Sequence, residues 1–353
     1  MKPTSSFWNY GRGIAFVLLL SILSLLALQF SFIQKLHISP LIIGVLLGIV
    51  LSFVVAKTAT KLHLACEKGI HFSAKTLLRL GIVLYGFNVS LADVQSVGIV
   101  GALSSLFIVC AILALGIVVG LVYFKMDRDL VILVSSGSAI CGAAAILAIE
   151  TSLHSESYKG IVAVATVVIF GLLGMFLFPL LYALDLMPFS PLQEGLFLGL
   201  TLHEVANVVG AASAISPDCA TIAVIIKMIR VILLVPVLFL LPLFLRQKNL
   251  QDKQGTKVKK TSTIPWFALW FLVMIIVHSV IPIPQPLLEI LQFCCVLCLT
   301  MAMCALGLQM NIAQFRHCGA QAFGLGLILF IALGVGGFLL VWGLSSAQML
   351  GFD

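Results

Sequence analysis

Apolar residues run through this chain in long unbroken blocks, and polar residues collect in the gaps between them. About eleven blocks reach the roughly 20 residues that a helix needs to cross a bilayer. They lie at 12–33, 40–56, 76–91, 98–123, 130–150, 160–184, 194–216, 220–245, 264–281, 287–306 and 319–344. The pattern predicts an all-α polytopic membrane protein in which residues 1–353 form a single transmembrane domain. The first block ends in Gln29-Phe30-Ser31-Phe32-Ile33, with no small-residue cleavage site, so it reads as a retained helix.

Composition strengthens this reading. Of 353 residues, 61% are hydrophobic and 9% charged, against about a quarter charged in soluble domains. Mean hydropathy is +1.21. Most of the nine cysteines fall inside apolar blocks, which argues against a secreted disulfide framework. The net charge of +7 would suggest nucleic acid for a soluble protein. Here no nucleic acid is expected, because the basic residues sort by membrane face. With the N-terminus inside and sides alternating, sixteen Lys and Arg fall inside and two, Lys35 and Lys159, outside. That distribution obeys the positive-inside rule and predicts an N-in, C-out topology. Two inside stretches are basic: 57–79, partly amphipathic and expected along the interface, and 246–262, expected as a flexible linker.

The chain echoes itself. Gly86-Phe87-Asn88-Val89-Ser90-Leu91-Ala92 returns as Gly307-Leu308-Gln309-Met310-Asn311-Ile312-Ala313, and each copy leads to a glycine, Gly98 or Gly319, that opens the next block. By counting, the copies face opposite sides, as in inverted-repeat transporters. A weaker echo relates Cys141-Gly142-Ala143-Ala144 to Val209-Gly210-Ala211-Ala212, but those blocks run in the same direction by the count. Either the chain is permuted, or one segment re-enters without crossing, or the second echo is chance. Pairs such as Gly44/Gly48, Gly116/Gly120 and Gly195/Gly199 fit close helix packing, within the bundle or in a homodimer.

Polar residues inside the blocks carry the candidate chemistry. Ser135-Ser136-Gly137-Ser138-Ala139-Ile140-Cys141-Gly142 places hydroxyls and glycines where a plain membrane helix has Leu or Val. It reads as a helix break facing an internal site or as a small-residue contact between helices. Thr201-Leu202-His203-Glu204-Val205-Ala206-Asn207 puts His203 and Asn207 at i and i+4, with Glu204 beside them. His203 and Glu204 suit proton coupling, or a polar cross-link between helices. The likeness to the zinc motif His-Glu-x-x-His fails at Asn207, and no metal or other cofactor is expected. Lys227 and Arg230 share a helix face and suit an anion, or a salt bridge to Glu204 or Glu150. Asn88 and Gln309, matched in the repeat, could line the path or cap helices. Cys294-Cys295-x-x-Cys298 lacks a fourth ligand and suits packing. No Walker loop or nucleophile elbow occurs, so an ion gradient is the expected energy source.

Several of these motifs, in this order and spacing, resemble the UPF0324 membrane proteins, a YeiH-like family linked to sulfate export. They are Ser136–Ala145, Leu202–Ala212, Lys227-Met228-Ile229-Arg230-Val231 and Ala305–Met310. The resemblance covers nearly the whole chain. It implies a bacterial inner-membrane protein, distantly similar to bile-acid and anion transporter folds, with inverted repeats and discontinuous helices. Its Gly-Ser-x-Ile-Cys-Gly motif falls on Gly137, Ser138, Ile140, Cys141 and Gly142, its His-Glu pair on His203 and Glu204, and its membrane cations on Lys227 and Arg230.

The expectation is a secondary transporter of a small anion (sulfate, sulfonate or carboxylate), not an enzyme. Substrate would meet Ser136, Gly137, Ser138, Cys141, Gly142, Asn207, Lys227 and Arg230. Protons would couple through His203 and Glu204, and Asn88 and Gln309 would line the path. The rivals are a passive anion channel and an intramembrane hydrolase using the serine cluster with His203.

Overall fold

A computed structural model describes residues 4–29, 39–58, 60–153, 155–238, 266–309 and 319–347. The described residues are helical, with no strand. In chain order the helices are α1 (Thr4–Ala27), α2 (Pro40–Thr58), α3 (Thr60–Phe72), α4 (Leu78–Tyr85), α5 (Leu91–Val118), α6 (Arg128–Ala139), α7 (Ala143–Leu153), α8 (Ser157–Ala183), α9 (Pro191–Thr201), α10 (Val205–Ala212), α11 (Pro217–Ile232), α12 (Trp266–Val280), α13 (Gln285–Gln309) and α14 (Ala320–Ser346). Six helices among the described residues are long and apolar enough to cross a membrane alone: α1, α5, α8, α11, α13 and α14.

Two of the predicted spans turn back. A straight helix over residues 128–153 would be about 39 Å long at 1.5 Å per residue. It would carry the start of α8 to the far end of the bundle. Instead Lys159 Nζ, at the start of α8, lies 2.8 Å from Asp127 Oδ1, just before α6. A β-carbon on Gly137 of α6 would lie 2.6 Å from Ile146 Cδ1 of α7 and 3.0 Å from Val167 Cγ2 of α8. So α6 and α8 run parallel, and α7 runs back between their ends. Segment 130–150 is a re-entrant hairpin with its tip at 140–142.

Segment 194–216 repeats the arrangement from the other side. Gly195 packs on Cys219, with a β-carbon 2.6 Å from its carbonyl oxygen, and Gly199 packs on Ala223 at 2.7 Å, so α9 and α11 run parallel. The rings of Phe178 and Phe197 stand 5.0 Å apart, and Gly174 meets Leu202. Thus α9 runs against α8, while α10, through Gly171 with Asn207 and Gly210 with Met175, runs along it. This second hairpin has its tip at 202–204. Because α8 connects the two hairpins, hairpin one enters at the Asp127 end and hairpin two at the Ser190 end.

Local sequence explains the entries. The Asp127 side chain accepts from Asp129 N (3.1 Å) and Leu130 N (3.2 Å), capping α6. Ser190 and Gln193 form a capping box with Pro191 in the first turn of α9. Ser216 caps α11 by accepting from Cys219 N at 3.0 Å. The tip of hairpin one closes where Gly142 adopts φ +70° and donates its N–H to Gly137 O at 2.9 Å.

The fold corrects three expectations. Lys159 lies at the same end as Lys125 and Arg128, not opposite them. From Thr60 on, the stretch 57–79 is helical: α3, a π-turn at Ser73–Leu77 and α4 form one run that continues to Asn88. There α3 meets α1, with Gly69 within 2.6 Å of Gly13 Cα for an added β-carbon, and Ser73 and Ala74 are buried. Third, Cys141–Ala144 sits at a hairpin tip whereas Val209–Ala212 lies within α10, so that echo does not match equivalent positions. Stretch 246–262 and residues 310–313 of the first echo lie outside the described residues.

Candidate functional site

The two tips meet at α11. One helical turn apart, Lys227 and Arg230 are both fully buried. Lys227 Nζ donates to Ile140 O (3.0 Å) in one tip and to Leu202 O (2.5 Å) in the other. Arg230 repeats the bridge: Nε donates to Ala139 O (3.2 Å), Nη2 to Ala139 O (2.6 Å) and Ser138 O (3.2 Å), and Nη1 to Gly199 O (3.1 Å), Leu200 O and Leu202 O (3.3 Å). These carbonyls end α6 and α9. Helix C-termini leave such groups unbonded and carry partial negative charge. In a membrane interior they must be satisfied by protein. The cations do this for both hairpins at once, so the expected salt bridge to Glu204 or Glu150 gives way to backbone capping.

The other side of the tips carries the opposite polarity. Both α7 and α10 begin there, with their N-termini turned toward one another. Glu204 is the N-cap residue of α10 but places no cap on its own helix. Its Oε1 instead accepts from Ala143 N at 3.3 Å, the first residue of α7. Gly142 makes this possible, since a β-carbon there would lie 2.5 Å from Glu204 Cγ.

A cavity of about 580 Å³ reaches this point from the Asp127 end. Cys141, Ala143, Ala144, Glu204 and Val205 form its blind end, and His71, Lys75, Arg79, Glu150 and Gln309 line its approach. Lys75 sits in the π-turn between α3 and α4, a geometry that recurs at functional sites. A second cavity of about 620 Å³ lies at the Ser190 end, lined by Asn88, Asp93, Ser96, Ser213, Asp218 and Thr221 among others, and no tip residue lines it.

The predicted residues therefore separate. Cys141, Gly142 and Glu204 come together at the blind end, with Lys227 and Arg230 behind them. Ser136 does not join them: its hydroxyl donates to Ile132 O and Leu133 O (3.3 Å) of its own helix. Gly137 serves hairpin closure, and Ser138 is buried with no hydrogen-bond partner for its hydroxyl among the described residues. His203 and Asn207 share a neighbour, Gly171, but the helix is broken between them, so the i, i+4 argument does not apply. The His203 ring lies over Phe330 (6.3 Å between centroids), with neither nitrogen partnered among the described residues, while Glu204 points to the other hairpin. Asn88 and Gln309 line different cavities. Sequence reasoning missed His71, Lys75, Arg79 and Glu150 as cavity residues. The available signal was a carboxylate in an apolar block and a basic run beside one.

The family model described as conserved hypothetical protein 698 matches residues 12–326. The chain is 44% identical over 335 residues to a UPF0324 membrane protein of Helicobacter hepaticus, covering 92% of this chain and 96% of that one. It is 40% identical over 333 residues to one of Bacteroides thetaiotaomicron (94% and 97%) and 38% identical over 345 residues to one of Pseudomonas putida (98% and 96%). No solved structure matches.

Proposed function

The chain belongs to the UPF0324 family of membrane proteins, and we propose that it is a secondary transporter of a small anion of the sulfate, sulfonate or carboxylate type. One observation carries this reading. Two hairpins enter from opposite ends, their tips meet, and a cavity runs from one end to the meeting point and stops there. A site open to one side at a time is what alternating access requires, and broken helices at the midplane are its usual material.

The anion preference rests on charge. The N-termini of α7 and α10 present backbone N–H groups and positive dipole ends at the blind end. Lys227 and Arg230 add positive potential from behind without leaving their carbonyls. His71, Lys75 and Arg79 line the approach and raise the local anion concentration.

Coupling belongs to Glu204. An ionised Glu204 occupies the α7 N-terminus as a tethered anion and repels a second one. Protonation removes both obstacles, so anion and proton load together. The geometry favours Glu204 over His203, because only Glu204 lines the cavity.

Orientation follows from the described basic residues. Arg12, Lys68, Lys75, Arg79, Lys125, Arg128 and Lys159 lie toward the Asp127 end, and the Ser190 end has none among the described residues. The positive-inside rule makes the Asp127 end cytoplasmic. With two hairpins and nine passes among the described residues, we read the N-terminus as inside and the C-terminus as outside, with the cavity facing inward. We read α5, hairpin one and α8 as one unit, and α14, hairpin two and α11 as its inverted, permuted counterpart. The echo at Gly86 and Gly307 precedes α5 and α14 respectively, as this pairing requires.

The test uses proteoliposomes loaded with radiolabelled sulfate, methanesulfonate or succinate. At least one should move, faster under an imposed proton gradient. Movement of none would overturn the transport reading, and flux that follows the anion gradient alone, indifferent to pH and to other ion gradients, would make the protein a channel.

A further inference from the structure

One titratable side chain remains unused. Glu194, in the first turn of α9, is fully buried, and neither carboxylate oxygen has a hydrogen-bond partner among the described residues. An ionised carboxylate without partners in an apolar interior is strongly disfavoured. The positive end of α9 offsets only a small part of that cost.

The elements packed around Glu194 bring no cation to it: Lys227 and Arg230 of α11 lie past Ala223, which faces Gly199 at the other end of α9, and α5 carries Asp93 but no Lys or Arg. Tyr182 and the nearby Asp185 come from the end of α8, and Cys219 with Asp218 from the start of α11. Helix α14 packs on α9 through Gly337 and Thr201, and carries no titratable side chain. Glu194 is therefore held dry, with no cation beside it to balance a negative charge.

It is also close to water. Leu192, two residues earlier, and Asp218, beside Cys219, both line the cavity at the Ser190 end. Glu194 sits beside the seam between the starts of α9 and α11, and residues of both starts line that cavity. The seam is narrow: Gly195 rests on the Cys219 carbonyl.

We propose that Glu194 is a second proton-binding site of the protein, protonated in the inward-facing state and exchanging its proton with the far-side cavity when hairpin two moves. The step is a simple ionisation: the O–H bond breaks, the proton passes to water in that cavity, and the carboxylate is hydrated there. It reverses when the seam closes. This rests on the transporter reading, and on a group distinct from Glu204.

Two measurements test it, one independent of transport. In the infrared, purified wild type at neutral pH shows the C=O stretch of a protonated carboxyl that Glu194→Gln and Glu194→Leu both lack. An unchanged carboxyl region in both variants overturns the proposal. In proteoliposomes with a lumenal pH dye and sulfate as probe, Glu194→Gln retains sulfate transport while the protons moved per sulfate fall by about half, Glu204 carrying the rest. Undiminished proton movement overturns it. If wild type moves none of sulfate, methanesulfonate and succinate, the transport reading falls and the infrared result alone decides whether Glu194 holds a proton.

Discussion

Glu204 accepts the backbone N–H of Ala143, so a carboxylate on the tip of one hairpin caps the returning helix of the other. The link joins two elements 61 residues apart in the chain. It also fills the place that an incoming anion would take. The geometry thus makes one side chain both a latch and a competitor.

Replacing Glu204 with Gln keeps an acceptor for Ala143 and removes the charge. Sulfate should then stabilise the variant equally across pH, whereas wild type should gain more from sulfate as pH falls. Thermal melts with and without sulfate measure this, since a ligand at about 100 times its Kd adds about 2.7 kcal/mol. A wild type whose sulfate response does not change with pH would remove Glu204 from the coupling.

Arg230→Gln should unfold the junction rather than only empty a binding site. The guanidinium serves carbonyls at Ser138, Ala139, Gly199, Leu200 and Leu202. Each buried carbonyl left unpaired costs about 1–3 kcal/mol. The sequence alone suggests a folded protein without flux. The structure instead predicts a large fall in melting temperature in detergent. A variant that melts like wild type while losing transport would make Arg230 a substrate contact.

Gly142 and Gly98 form a matched pair of probes. Both have positive φ, +70° and +52°, but a β-carbon on Gly98 meets nothing within 4 Å while one on Gly142 meets Glu204. Gly98→Ala should incur only the backbone strain of a conformation open essentially to glycine, about 1–3 kcal/mol. Gly142→Ala should lose more stability and also lose sulfate flux. Equal effects in the two variants would argue against the close approach of Glu204.

The Asp127–Lys159 pair sets a pH effect of known sign. Lys159 holds the Asp127 carboxyl below the usual carboxylate range. The pair's contribution is therefore complete above the unfolded value of about 3.9 and is lost as pH falls through the lower folded one. Asp127 is half exposed, so screening limits the gain to about 1 kcal/mol or less. Melts of wild type and Asp127→Asn should differ near neutrality and converge in acid. A gap that persists or widens in acid would contradict the assignment.

Much of this arrangement was visible in the chain, unevenly. The interruption at Ser135–Gly142 shows because glycines and hydroxyls displace the bulky residues of a membrane helix, and His203-Glu204 stands out for the same reason. Direction does not show. Hydropathy measures how long an apolar block is, and a hairpin and a span of equal length score alike. The trace was the conflict between the two internal echoes, together with Lys159 on the wrong side of the charge count. The partners of Lys227 and Arg230 could not be read at all. Every residue carries a carbonyl, so nothing in the side-chain sequence marks Ala139 or Leu202 as an acceptor.

The two cations of α11 also bear on how the chain enters the bilayer. A Lys or Arg at mid-membrane costs about 2.5–3.5 kcal/mol on insertion, and α11 carries both. The ribosome delivers residues 128–153 and 191–212 before 217–232. Both sets of acceptor carbonyls are therefore synthesised before the charged helix leaves the translocon. Order of synthesis does for α11 what a chaperone would otherwise have to do: its charges meet ready partners instead of lipid. Moving α11 ahead of either hairpin by circular permutation would preserve every final contact and still strand those charges during insertion.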